Sequence, residues 1–106
     1  MEIQDGVIYD TSVAYIKGTL YKLLEVREVG HKGWKVRDMI LQTKSTRGNQ
    51  FRLVQVSGVL LDEVRSIAHG SEIICEINLL GKEVTNHTTH EIKYRNLDEV
   101  TKIVRV

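Results

Sequence analysis

Apolar and polar residues alternate along most of this chain with a period of two, the pattern of half-buried strands. From Tyr15 to Val26, one parity reads Ile16, Gly18, Leu20, Lys22, Leu24 and Val26. The other reads Tyr15, Lys17, Thr19, Tyr21, Leu23 and Glu25. The first set predicts a core-facing side broken only by Lys22. The second predicts a wetter side carrying two tyrosines and a lysine. Gly18 inside this strand predicts a bend or a close backbone approach. A turn follows at Gly30-His31-Lys32-Gly33, then a second strand from about Trp34 to Thr43. Lys44–Asn49 (KSTRGN) reads as a polar turn. A third strand runs from about Gln50 to Ser57. On it Val54 and Val56 share a side with Arg52, while Phe51, Leu53, Gln55 and Ser57 face the other way.

The period then changes. Val59–Ala68 places apolar residues at 60, 61, 64, 67 and 68, a helical spacing over a short stretch. His69-Gly70 closes it, with glycine in the usual post-helix position. A fourth strand from Glu72 to about Val84 puts Ile73, Cys75, Ile77 and Leu79 on one side. The polar stretch Thr85–His90 leads to a fifth strand, from about Glu91 into the β-branched run VTKIVRV. Three strands, one short helix and two more strands predict an all-β domain. It is a five-stranded OB-fold barrel with the helix between strands 3 and 4. Residues 16–106 form that domain, and residues 1–15 are expected to be an extension. Its Ile3, Val7, Ile8 and Val13 would add a strand or a dimer contact.

Composition narrows the picture. The chain has 106 residues, 42% apolar and 27% charged, enough for one core and too few for two domains. No run reaches the roughly 18 apolar residues of a membrane span. The opening MEIQDGVIYD lacks a basic-then-apolar leader, so the expected compartment is the cytoplasm. A lone Cys75 excludes an internal disulfide and any multi-cysteine zinc site, and its apolar strand side suits an inert thiol. His87 and His90 have an HxxH spacing with no second ligand set, so no metal or other cofactor is expected. No phosphate-cradling glycine loop, carboxylate pair or nucleophile–base arrangement is legible, and an enzyme is not expected. Asn86-His87-Thr88 matches a glycosylation acceptor, a chance match without export.

The net charge of +1 conceals an uneven distribution. Segment 31–53 holds six lysines and arginines against Asp38 alone, a net of +5; the remaining nine against thirteen acids leave −4. A basic middle on a mildly acidic body predicts one attractive face for a polyanion. The same cations also suit ordinary solvated strands.

Three segments carry a family resemblance. GTLYKLLEVREVGHKGWKVRDMILQT (18–43), FRLVQVSG (51–58) and GSEIICEINLLGKE (70–83) resemble, in order and spacing, strands of the bacterial single-stranded DNA-binding proteins. The likeness runs from about residue 16 to the end of the chain. HKGWKVRDMILQT (31–43) is similar, more closely still, to small Bacteroidetes OB-fold proteins. Two departures stand out. Ser57 replaces the bulky residue that usually precedes the glycine. The acidic tail through which that family recruits partners has no counterpart in Thr101–Val106. The resemblance implies single-stranded DNA, or RNA, as the ligand. It implies low sequence selectivity and a place in replication, recombination or repair, without tail-mediated recruitment.

Binding an unpaired strand needs cations for the phosphates and flat rings for the bases. The candidates pair the two along the chain: Tyr21 with Lys22, Trp34 with Lys35 and Arg37, Phe51 with Arg52, and Tyr94 between Lys93 and Arg95. The second and third strands and their connecting turn form the usual OB binding face, which adds Lys44 and Arg47 as phosphate contacts. Each ring also has a structural reading. Trp34 suits a cap on the barrel core, and Phe51 suits the core itself, although its parity opposes Val54 and Val56. A small barrel gives a short footprint, so a homodimer or higher homo-oligomer is expected. The rival is an OB-fold acting as a protein–protein or primosome-type assembly subunit. In that reading the aromatics are buried and the basic segment meets an acidic partner.

Overall fold

The computed structural model describes residues 3–4, 7–8 and 12–106. Strands β1 (Ile3–Gln4) and β2 (Val7–Ile8) pair antiparallel as a minimal hairpin. The expectation of a dimer contact from Ile3, Val7 and Ile8 concerns side chains outside the described set. Five longer strands follow: β3 (Val13–Val29), β4 (Trp34–Ser45), β5 (Gly48–Ser57), β6 (Glu72–Thr85) and β7 (Ile92–Arg105). They close into a barrel in the order β3-β4-β5-β7-β6. The helix α1 (Leu60–Arg65) lies between the third and fourth barrel strands. This is the OB-fold plan. β3 pairs with β6 from Val13 onward, so the barrel begins slightly ahead of residue 16.

Alternation explains the core. Leu20, Met39, Leu41, Val54, Val56, Ile73, Cys75, Ile77, Val100 and Ile103 line the barrel and are buried. Helix α1 is shorter than the predicted 59–68, but Val64 and Ile67 do bury, with Leu60 and Leu61 packed against the same cluster. Its dipole is matched by Asp62 and Glu63 in the first turn and Arg65 in the last. Gly18 is the predicted close approach. A Cβ there would stand 2.8 Å from the Gln42 carbonyl oxygen, so a larger residue would push β3 off β4.

One part of the expected alternation fails. Leu20 pairs with Leu41 and Lys22 with Ile40, which leaves Tyr21 as the extra residue of a β-bulge. Past it the parity flips. Leu23, expected on the wet side, packs against the core; the later register shift returns Val26 to its expected parity, yet Val26 is 46% exposed. A second irregularity, between Leu23 and Val26, sets Leu24 and Glu25 against Asp38. Lys22 therefore does not break a core-facing row, because at that point the row has moved to Leu23.

β6 and β7 outrun the barrel. β3 covers β6 only as far as Asn78, so Leu79–Thr85 and Ile92–Asp98 pair chiefly with each other and project as a two-stranded arm. Leu79, expected to share the core with Ile77, is 39% exposed because it stands at the root of this arm. The arm tip is tied by its own polar groups. The Asn86 N–H donates to the Glu91 carbonyl at 2.8 Å, and Asn86 Oδ1 accepts from the Thr88 N–H at 2.9 Å. The barrel closes on its other side through the parallel pairing of Gln55 with Glu99.

Candidate nucleic-acid interface

The outward face of β3, β4 and β5 can be built row by row from the register. Thr19 stands beside Gln42, and Gln42 beside Phe51. In the next row Lys22, Ile40 and Leu53 lie side by side. Tyr21, the bulge residue, reaches Phe51 with ring centroids 4.9 Å apart and planes at 63°, an edge-to-face pair. The bulge thus places two side chains, Tyr21 and Lys22, where a regular strand would place one. Phe51 is 55% exposed and Leu53 57%, so the rings and their apolar neighbour face solvent. The core reading of Phe51 does not hold. Lys22 is exposed at the margin of this patch, with Lys44 and Arg47 at and beyond the end of β4. None of the three has an ion-pair partner among the described residues.

Trp34 is also open, 58% exposed at the start of β4 and paired with Val29, so it does not cap the core. It stands far from Phe51. Eight residues of β4 separate Trp34 from Gln42, about 26 Å at roughly 3.3 Å per residue. By parity the rings share one side of β4, but Val36 on that side between them is 1% exposed, so they stand at two separate open ends.

The basic neighbours of these rings divide by parity. Arg52 shares its side of β5 with Val54 and Val56, and its Nη1 is 2.6 Å from Asp98 Oδ2. Its charge is partly met within the protein, while half of the side chain stays exposed. Arg37 is half-buried opposite Val56, and its Nε donates to the Leu24 carbonyl at 2.5 Å, bracing the second irregularity of β3. Lys35 is exposed on the parity opposite to Trp34. Tyr94 lies on the arm opposite Glu83, while Lys82 faces Arg95 and Val84 faces Lys93. Because successive rows alternate, Tyr94 occupies one face of the arm and all three cations the other.

Sequence reading missed that cationic arm face. Lys82, Arg95, Leu80 and Leu97 join Val29 and Gln55 around a groove of about 530 Å³ between the arm and the end of β3. Lys82 and Arg95 sit directly across the ladder, where like charges repel. An anion lying between them would relieve that repulsion. The period-2 spacing of Leu80 and Lys82 was visible in the sequence, but their partners across the turn depend on register.

Burial, then the negative charge of Glu63, pushes the Cys75 thiol up to about 11, so it stays protonated at neutral pH. Among the described residues no three His, Cys, Asp or Glu side chains cluster to hold a metal ion. No helix among them is long and apolar enough to cross a membrane.

Neither a family model nor a curated protein matches this sequence. Solved structures do match its fold. One is the mitochondrial single-stranded DNA binding protein Rim1 of S. cerevisiae, at a TM-score of 0.65 and 10% sequence identity. The match covers 92% of this chain and 96% of that one. At this identity the likeness establishes a shared barrel plan and nothing finer.

Proposed function

We propose that this protein binds single-stranded DNA without catalysis and with low sequence selectivity, in replication, recombination or repair. The observation that carries the proposal is the exposed Tyr21–Phe51 pair on the open face of an OB barrel, with Lys22 beside it and no ion-pair partner for Lys22 among the described residues. A base would stack on the rings while the backbone follows Lys22, Lys44 and Arg47. Each stacked base contributes roughly 1–3 kcal/mol, so two or three give micromolar binding with phosphate help. The strand would continue along Leu53 and Gln55 toward Trp34 and the groove under the arm. The fold match to a protein that bears single-stranded DNA binding in its name supports this reading. A homodimer or higher homo-oligomer in the cytoplasm completes the proposal, because one barrel offers only a short path.

The rival is a protein–protein module. It is favoured by the pairing of Arg52 with Asp98, and by the Arg27–Asp38 pair at 3.2 Å, which uses the one acid of the basic segment. Titration of the purified protein with labelled single-stranded DNA, RNA and duplex separates the two. Preferential binding of a dT oligomer at low salt is expected. Negligible affinity for every nucleic acid would leave the protein–protein reading.

A further inference from the structure

Beside the Tyr21–Phe51 pair the outward face sinks into a polar hollow of about 770 Å³. Thr19, Gln42, Lys44 and Asn49 line it together with the Lys17–Glu72 ion pair. Gln42 lies directly beside Phe51 in the ladder, and Asn49 pairs with Lys44 two residues further along. Gln42 and Asn49 are therefore diagonal neighbours, about 7–8 Å apart, a gap that one planar base can bridge. Among the described residues, neither amide side chain makes a hydrogen bond within the protein, and neither does the Thr19 hydroxyl. Each amide offers a donor beside an acceptor. Lys44 supplies a positive charge at the rim for a phosphate.

We propose that this hollow reads one base, and that the base is adenine. The inference rests on the single-strand reading above and adds to it a position of sequence preference. A ring seated against Phe51 presents its edge to Gln42. Adenine offers the N6 amino donor next to the N7 acceptor, which matches the amide carbonyl and amino groups of a glutamine in two parallel hydrogen bonds. Elsewhere on the path, Phe51, Leu53 and Trp34 offer only faces and apolar area, which every base satisfies. Selectivity is thus confined to one nucleotide, next to a stack that tolerates any base.

The test is a ladder of dT oligomers, each carrying a single dA at a different position, titrated against the whole protein. One position should bind about fivefold tighter or more with dA than with dT, the low end of what a two-bond amide–base pair contributes. Gln42→Met keeps the side-chain length and removes both donor and acceptor. In that variant the dA/dT ratio at the position should fall to about one, with the salt slope retained. A flat ladder on wild-type protein that still binds dT overturns the base-reading proposal and spares the single-strand reading. So does a dA preference that survives in Gln42→Met. If no oligomer binds at any position, the single-strand reading fails and this proposal falls with it.

Discussion

The two ends of the β4 face use different chemistry. At the Phe51 end the strands are fully paired, a bulge turns Tyr21 outward, and the rings form a preset edge-to-face pair. At the Trp34 end there is one ring, and the charge comes from a separate two-stranded arm whose Lys82 and Arg95 face one another across the ladder. The first end presents a ring pair with Lys22, Lys44 and Arg47 around it, and the second a single ring near an arm bearing Lys82 and Arg95. The difference shows that adjacency in the chain is a poor guide to partnership on a sheet. Phe51 and Arg52 are neighbours in sequence, but one is a surface ring and the other is tied to Asp98. Trp34 and Lys35 likewise point to opposite sides of one strand.

Both ends depend on a common core, and its loss gives the largest effect. Met39→Ala should cost about 2–5 kcal/mol in denaturant unfolding, because the side chain is fully buried and leaves a cavity. Leu53→Ala on the outward face should change stability by about 0.5 kcal/mol or less. A large loss at Leu53 would mean that the patch is structural and not a docking surface.

The next effect separates the ends. Tyr21→Ala with Phe51→Ala should weaken dT binding by about 1–3 kcal/mol for each base that loses its platform, with little change in the salt slope. Lys82→Ala with Arg95→Ala should do the reverse. The log–log salt slope should shrink by about 0.7 for each phosphate that is no longer neutralised, with a smaller drop in affinity at moderate salt. Equal slopes for both double variants would erase that difference between the ends. The smallest effect is expected at Arg52. Arg52→Gln should leave the slope nearly unchanged, because its guanidinium already meets Asp98. A slope change as large as that of the arm variant would show that Arg52 exchanges Asp98 for a phosphate.

Much of the barrel was legible because period-2 alternation reports burial directly. Val54, Val56, Ile73, Cys75 and Ile77 are buried as that alternation predicts, and the parity of Phe51 predicts its exposure. The bulge at Tyr21 was not legible. An inserted residue flips the side chains that follow it until the second irregularity before Val26 restores the parity, and nothing in Leu20-Tyr21-Lys22 marks the insertion. The arm was hidden for a related reason. Lys82 and Arg95 meet only through the register of two strands joined by a loop, a long-range property that local spacing does not encode. The candidate site was half visible, since its rings could be picked out but the distance between them could not.

Trp34 is the only tryptophan in the chain, and its fluorescence reports on the arm end alone. Titration with dT oligomers of increasing length, from about 4 to about 16 nucleotides, the range of site sizes for one OB fold, tests the two-ended path most directly. Short oligomers should bind at the Tyr21–Phe51 end and leave the emission nearly unchanged, whereas oligomers long enough to span the face should quench it. Quenching that is absent at every length, or equal at all lengths, would contradict a single strand laid from Phe51 to Trp34.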